Sequence, residues 1–163
     1  MYNNIGSEPV LVVGAGPAGA SCAWKLASGG VPCVLADKSR FPRDKVCGGV
    51  LGGRGEGVLL DSGLLAADEL EDLTLAEHRG FSLWQGHEHL RTHLSGSQSV
   101  RIISRRDFDK VLLEKAADAG ARIETGTGIK EISHNEAVTS SGEKLPFSRV
   151  VGADGCGSVV GKA

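Results

Sequence analysis

Apolar positions in this chain come in short unbroken runs separated by glycine, with one longer stretch of helical period. Glu8–Val13 is a valine-rich run too short for a helix and reads as a buried strand. Gly14–Gly19 is a glycine-rich turn. Pro17 suits the first turn of a helix, Ala18–Ser28 continues it, and Gly29-Gly30 ends it. Val31–Ala36 is a second buried strand. Strand, glycine turn, helix and strand make a βαβ unit, which demands parallel strands and a right-handed crossover.

The pattern then loosens. Residues 38–57 read as a long irregular stretch, and weakly helical segments follow to about Leu73. Residues 80–104 alternate apolar and polar positions between turn residues, which predicts antiparallel strands in an excursion from the main body. Asp107–Ala119 is the clearest later helix. Phe108, Val111, Leu112 and Ala116 share one face of it, and Gly120 stops it. Ala121–Glu124 predicts a further sheet strand. Ile129–Ser133, Ala137–Ser140 and Lys144–Phe147 predict a small antiparallel β-meander with turns at His134-Asn135 and Ser141-Gly142. Arg149–Ala153 predicts a last parallel strand. The whole of residues 1–163 is expected to form one α/β domain: a parallel sheet, an antiparallel β-meander and an antiparallel β excursion.

Composition sharpens this in one respect. The chain of 163 residues holds 24 glycines, where average usage gives roughly 11, so its loops need glycine for a reason. The net charge of −2 and the lack of a basic stripe predict no nucleic-acid partner. No apolar run reaches the length of a membrane span, and Met1–Gly6 lacks a signal-peptide pattern. Cys22, Cys33, Cys47 and Cys156 form no C-x-x-C pair and no metal-ligand spacing. Together these predict a cytoplasmic, reducing setting, compatible with association at a membrane surface.

Gly14-Ala15-Gly16-Pro17-Ala18-Gly19 is a G-x-G-x-x-G between a strand and a helix. Gly14 permits the tight turn, Gly16 lets a pyrophosphate approach the backbone, and Gly19 lets helix and strand pack closely. The helix N-terminus offers N–H groups and a positive dipole end to phosphates. Asp37 lies 23 residues after Gly14, where a carboxylate accepts hydrogen bonds from an adenosine ribose. This predicts a Rossmann-like FAD/NAD(P)-binding domain, and the motif alone does not separate FAD from NAD.

Asp37-Lys38-Ser39-Arg40-Phe41-Pro42-Arg43-Asp44-Lys45-Val46-Cys47-Gly48-Gly49 closely resembles the D-x-x-x-F-P-R-D-K-x-C-G-G segment of the geranylgeranyl reductase family, FAD-dependent proteins of the aromatic hydroxylase superfamily. The resemblance implies a loop running from Asp37 and Lys38 along FAD toward the flavin. Arg43 would lie near the pyrophosphate or ribose, and Cys47, Gly48 and Gly49 near the isoalloxazine. Read alone, Arg43 and Lys45 are equally solvated charges, and Cys47 a small buried hydrophobe.

Ser104-Arg105-Arg106-Asp107-Phe108-Asp109 is similar to the R-x-x-F-D that opens the corresponding helix in these flavoproteins, which implies that Arg105 contacts the FAD phosphates or ribityl chain. Thr127-Gly128-Ile129 sits where relatives place backbone against adenine. Gly152-Ala153-Asp154-Gly155-Cys156-Gly157-Ser158 resembles the G-A-D-G-x-x-S signature, with Asp154 and Gly155 at the cofactor. The chain departs from the pattern at Gly161, where relatives usually carry arginine, which weakens any pyridine-nucleotide contact there.

The resemblance runs from Val13 to Ser158 and implies an FAD oxidoreductase that moves hydride or electrons to an organic, isoprenoid-type substrate, with NAD(P)H as a candidate electron donor. The alternatives are a non-catalytic dinucleotide-binding fragment and a fragment of an aromatic hydroxylase or halogenase. An NAD-dependent dehydrogenase has no use for Asp154-Gly155. Family members continue into a second glycine–aspartate motif and a substrate cavity. The chain is therefore expected to be their N-terminal portion, with the 80–104 excursion directed toward the substrate domain. It is expected to hold FAD weakly or not at all alone, or to self-associate through exposed apolar surface. The five histidines (His78, His87, His89, His93 and His134) lie outside the motifs and take no predicted role.

Overall fold

A computed structural model describes residues 8–93 and 99–163. The Met1–Gly6 segment read for a signal peptide, and residues 94–98 of the predicted excursion, lie outside the described residues. In chain order the elements are β1 (Val10–Val13), α1 (Pro17–Ser28), β2 (Cys33–Asp37), β3 (Val50–Gly52), α2 (Gly53–Asp61) and α3 (Ala67–Asp72). Then follow β4 (Thr74–His78), β5 (Gly80–Gln85), β6 (Glu88–His93), β7 (Val100–Ile103) and α4 (Arg105–Asp118). The last are β8 (Arg122–Thr125), β9 (Ile129–Ser133), β10 (Glu136–Thr139), β11 (Lys144–Pro146) and β12 (Arg149–Gly152), followed by short 3-10 turns at Gly155–Gly157 and Val160–Lys162. These elements form two compact units: residues up to Arg43 together with those from Asp109 onward, and Asp44–Phe108.

The first unit is built on a four-stranded parallel sheet of order β12-β1-β2-β8. All four residues of β1 are buried, as the unbroken valine run requires of a central parallel strand. Side chains alternate between the two faces. Leu11 and Val13 of β1 and Val34 and Ala36 of β2 pack against Ala137, Leu145 and Phe147 of the antiparallel meander β9-β10-β11. Cys33 turns the other way, its Sγ 3.5 Å from the carbonyl oxygen of Ala23 in α1. Helix α1 packs on β1 and β2 through Gly19, Ala20 and Ala23, which are buried. Small residues there let the helix approach the sheet closely. Burial of Leu11 and Leu35, 1% and 0% exposed, contributes about 1.5–3 kcal/mol each.

The second unit contains a three-stranded antiparallel sheet of order β3-β7-β4 and a two-stranded hairpin β5-β6. Arg101 on the central strand β7 bonds Glu56 of α2 at 3.1 Å, Glu71 of α3 at 2.7 Å and Thr74 of β4 at 3.3 Å. One guanidinium thus ties both helices to the central strand. Strand β4 and the ordered part of the 38–57 stretch depart from the sequence-based expectation. Val50–Gly52 is a strand, and α2 starts at Gly53. Gly53, Gly55 and Gly57 conceal that helix from a propensity reading, because each costs about 1 kcal/mol relative to alanine. Leu59, buried in its last turn, and Glu56, bonded to Arg101, hold it in place. Helix α4 begins at Arg105, two residues before the predicted start.

Candidate functional site

The carboxyl ends of β1 and β2 carry the glycine turn, and the turn's geometry follows from its residues. Gly14 has φ +98°, a conformation that favours glycine. Its N–H donates to the Ala36 carbonyl at 2.7 Å, and a Cβ there would collide with the carbonyl oxygen of Ala153. Gly19 sits in the first turns of α1 with no room at all: a Cβ would fall on the Gly14 carbonyl oxygen. Gly16 is the helix N-cap, without a side-chain cap, Pro17 opens the helix, and no acidic residue occupies the first turn. Gly16 and Pro17 are partly exposed and Ala18 is exposed, while Gly14, Ala15 and Gly19 are buried. The helix therefore presents its positive end to solvent beside a backbone stripped of side chains, which is how an anion is received.

Asp37 closes this turn against β2. Its Oδ2 accepts the Ala15 N–H and its Oδ1 the Ser39 N–H, both at 2.8 Å. A carboxylate has about four acceptor positions, so two hydrogen bonds leave capacity for hydroxyl donors. The same strand end is laced to the segment after β8. Thr127 N–H donates to the Asp37 carbonyl at 2.9 Å and Gly126 N–H to the Ser39 carbonyl at 3.0 Å. At Gly128 a Cβ would stand 3.5 Å from the Lys38 Cβ, an ordinary contact, so no steric demand for glycine arises there.

A shallow groove of about 120 Å³ opens over these residues. Gly14, Asp37, Lys38, Gly128 and Asp154 line it together. Four stretches of sequence thus meet in one place. Val13, Ala36, Thr127, Ile129, Gly157 and Val159 complete the lining. Of these, Gly157 and Val159 were not singled out by sequence reasoning, and only their closeness to Asp154 could have suggested them.

Asp154 has a second occupation. Its Oδ1 accepts the Ser158 hydroxyl at 2.6 Å, and its Oδ2 accepts the Val159 N–H at 2.6 Å and the Val160 N–H at 3.4 Å. Burial pushes its carboxyl up, but the hydrogen bonds from Ser158 and Val159 outweigh that and hold it below the ordinary carboxylate range. A depressed folded-state value stabilises the turn above the unfolded pKa, and that stabilisation is lost as pH falls through the folded value. Acidification is therefore expected to loosen residues 154–162 before the sheet opens, and Asp154→Asn to remove that acid-sensitive step at a cost of about 1–2 kcal/mol. Amide exchange of Val159 and Val160 followed against pH reads both outcomes.

The other predicted residues are placed as follows. Arg43 pairs with Asp109, Nη2 to Oδ2 at 3.1 Å, and its guanidinium carbon lies 4.8 Å from the Phe41 ring centroid. Cys47, Gly48, Gly49 and Arg105 belong to the second unit. There Gly49 has φ +67°, its carbonyl accepts the Ile103 N–H at 2.8 Å, and a Cβ would strike the Ile103 oxygen. Local packing against β7 is thus one reason for that glycine. Its N–H contacts the Cys47 Sγ at 3.5 Å. Arg105 is the first residue of α4.

Asp109 was missed as a site residue, although its signal was present. It shares the i, i+3, i+4, i+7 stripe of α4 with Leu112, Leu113 and Ala116, all buried, and a carboxylate in an apolar stripe announces a buried partner. Among the described residues no group of three or more metal-ligating side chains occurs, and no helix is long and apolar enough to cross a membrane.

Comparison with known proteins places this geometry. Residues 7–163 match the family model described as "FAD binding domain". The chain is 30% identical to a menaquinone reductase of Mycolicibacterium smegmatis, over 94% of the chain and 39% of that protein. It is 31% identical to a geranylgeranyl diphosphate reductase of Rhodobacter capsulatus, over 92% of the chain and 38% of that protein. Among solved structures, the halogenase PltM in complex with phloroglucinol and FAD superposes with a TM-score of 0.78 at 22% identity, over 96% of this chain and 36% of that one. The chain thus spans about two-fifths of the length of these relatives.

Proposed function

The chain belongs to the FAD binding domain family, and from that premise we propose that it is the FAD-holding portion of a flavin-dependent reductase whose substrate is organic and isoprenoid-bearing. The observation that carries this reading is the convergence of Gly14, Asp37, Lys38, Gly128 and Asp154 on one groove at the carboxyl ends of parallel strands, the place where α/β sheets take their ligands.

The residues present suit FAD. The turn from Gly14 to Gly19 offers a diphosphate bare backbone, in a conformation that a side chain at Gly14 or Gly19 would break by striking the backbone of Ala153 or of Gly14. Pro17 and Ala18 supply the first helical turn behind it. Asp37 accepts the ribose hydroxyls with the lone pairs its two backbone hydrogen bonds leave, and Lys38 adds a cation beside them. Gly128 and its neighbours would flank the adenine, and Asp154, with Gly155 next to it in sequence, lines the same groove. Arg43 serves the diphosphate end. When bound, FAD supplies the hydride or electron transfer, with NAD(P)H as the donor, and this chain's part is binding, orientation and electrostatics. The named reductase relatives at about 30% identity support the reductase branch over the hydroxylases and halogenases. A cytoplasmic location belongs to the same reading.

The test is a titration of the chain with FAD, followed by flavin fluorescence, with ADP as competitor. Weak uptake, displaced by ADP because both share the adenosine end of the groove, is the expected result. FAD uptake that ADP leaves unchanged would sink the proposal.

A further inference from the structure

Asp109 is the one buried carboxylate among the described residues, at 0% exposure. It comes from the first turns of α4, and its partner Arg43 comes from a segment 66 residues earlier in the chain. The Arg43 side chain is 14% exposed, yet Pro42 before it and residues 44–48 after it all stand in solvent. One arginine is therefore drawn inward from an otherwise exposed loop. Asp109 holds its Nη2, and the Phe41 ring lies over the guanidinium face. Its other amino group, Nη1, is buried and has no hydrogen-bond partner among the described residues. Such orphaned donors are rare in folded proteins and call for an acceptor.

The guanidinium is planar and rigid, so fixing Nη2 fixes the direction of Nη1. Asp109 balances that charge locally, so the pair is neutral overall while the guanidinium stays a charged, directional donor. We infer that Asp109 is a positioning residue for Arg43, holding it so that Nη1 donates to an oxygen of the bound FAD, for which the anionic diphosphate oxygens are the best acceptors. This inference rests on the FAD reading. It gives Arg43 a structural partner that loop position alone does not reveal, and it makes Asp109 part of cofactor recognition without contact to the cofactor.

Two variants separate recognition from mere stability. Arg43→Lys keeps a cation opposite Asp109 but lacks the second rigid donor. The double variant Arg43→Met/Asp109→Leu removes both charges and replaces them with apolar volume, a change that buried ion pairs often tolerate. Both are expected to keep the melting temperature of the ligand-free chain close to that of the parent, while FAD dissociation constants measured by flavin fluorescence rise about 10- to 100-fold. Variants that fold normally and bind FAD as tightly as the parent would overturn the inference and leave the FAD reading intact. FAD uptake by the parent chain that ADP does not displace would overturn the reading itself, and this inference with it.

Discussion

Gly19→Ala is expected to cost about 3 kcal/mol of folding stability and to abolish FAD uptake. The added methyl would occupy the position of the Gly14 carbonyl oxygen. That neighbour is backbone at the tightest point of the turn, where Gly14 already sits at φ +98° with its N–H bonded to Ala36. It cannot rotate aside as a side chain would. Relief requires α1 to lift from β1, which separates Ala20 and Ala23 from the sheet and deforms the phosphate-facing turn. Gly30→Ala is the matched control. Gly30 has φ +74° with nothing within 4 Å, so only the left-handed conformation is penalised, at about 1 kcal/mol. Urea denaturation of the two variants should show this difference, with FAD uptake retained in the second. Equal losses in both would mean that backbone conformation, rather than the close approach of helix and strand, sets the requirement at Gly19.

Asp109→Ala is expected to lose about 3–5 kcal/mol, the largest effect among the charged residues. The substitution leaves the Arg43 guanidinium buried without its counter-ion. Exposed pairs offer the contrast. Lys110 and Glu114 on the same helix are 48% and 55% exposed, and breaking that pair is expected to cost only about 0.3–0.5 kcal/mol. Two ion pairs on one helix thus differ roughly tenfold in consequence because one lies in solvent and the other does not. Thermal unfolding of Asp109→Ala and Glu114→Ala side by side reads the comparison.

Much of the architecture was legible because the signals are local. The valine run of β1, the glycine turn, Pro17 at the helix start and the Gly29-Gly30 stop each have their own chemistry, and together they leave few topologies open. The meander was legible from alternation and from its two turns. The start of helix α2 was not, since Gly53, Gly55 and Gly57 speak against a helix and only the tertiary contacts of Leu59 and Glu56 overrule them. At the candidate site, Gly14, Asp37, Lys38, Gly128 and Asp154 were readable as motif residues, and the groove brings them together. What no motif conveyed was division of labour. Asp154 spends its carboxylate on Ser158, Val159 and Val160, and Arg43 spends half its guanidinium on Asp109. Those assignments depend on distances across the fold, which linear spacing does not encode.

The central claim is that FAD lies over the N-terminus of α1 in the groove shared by Gly14, Asp37, Lys38, Gly128 and Asp154. Amide chemical-shift mapping during an FAD titration tests it most directly. The account predicts that the amides of Ala15, Gly16, Lys38, Gly128 and Gly155 shift first and saturate together, while those of β9 and β10 facing away from the groove stay put. Saturable shifts confined to other residues, with the Gly14–Gly19 turn unmoved, would contradict it.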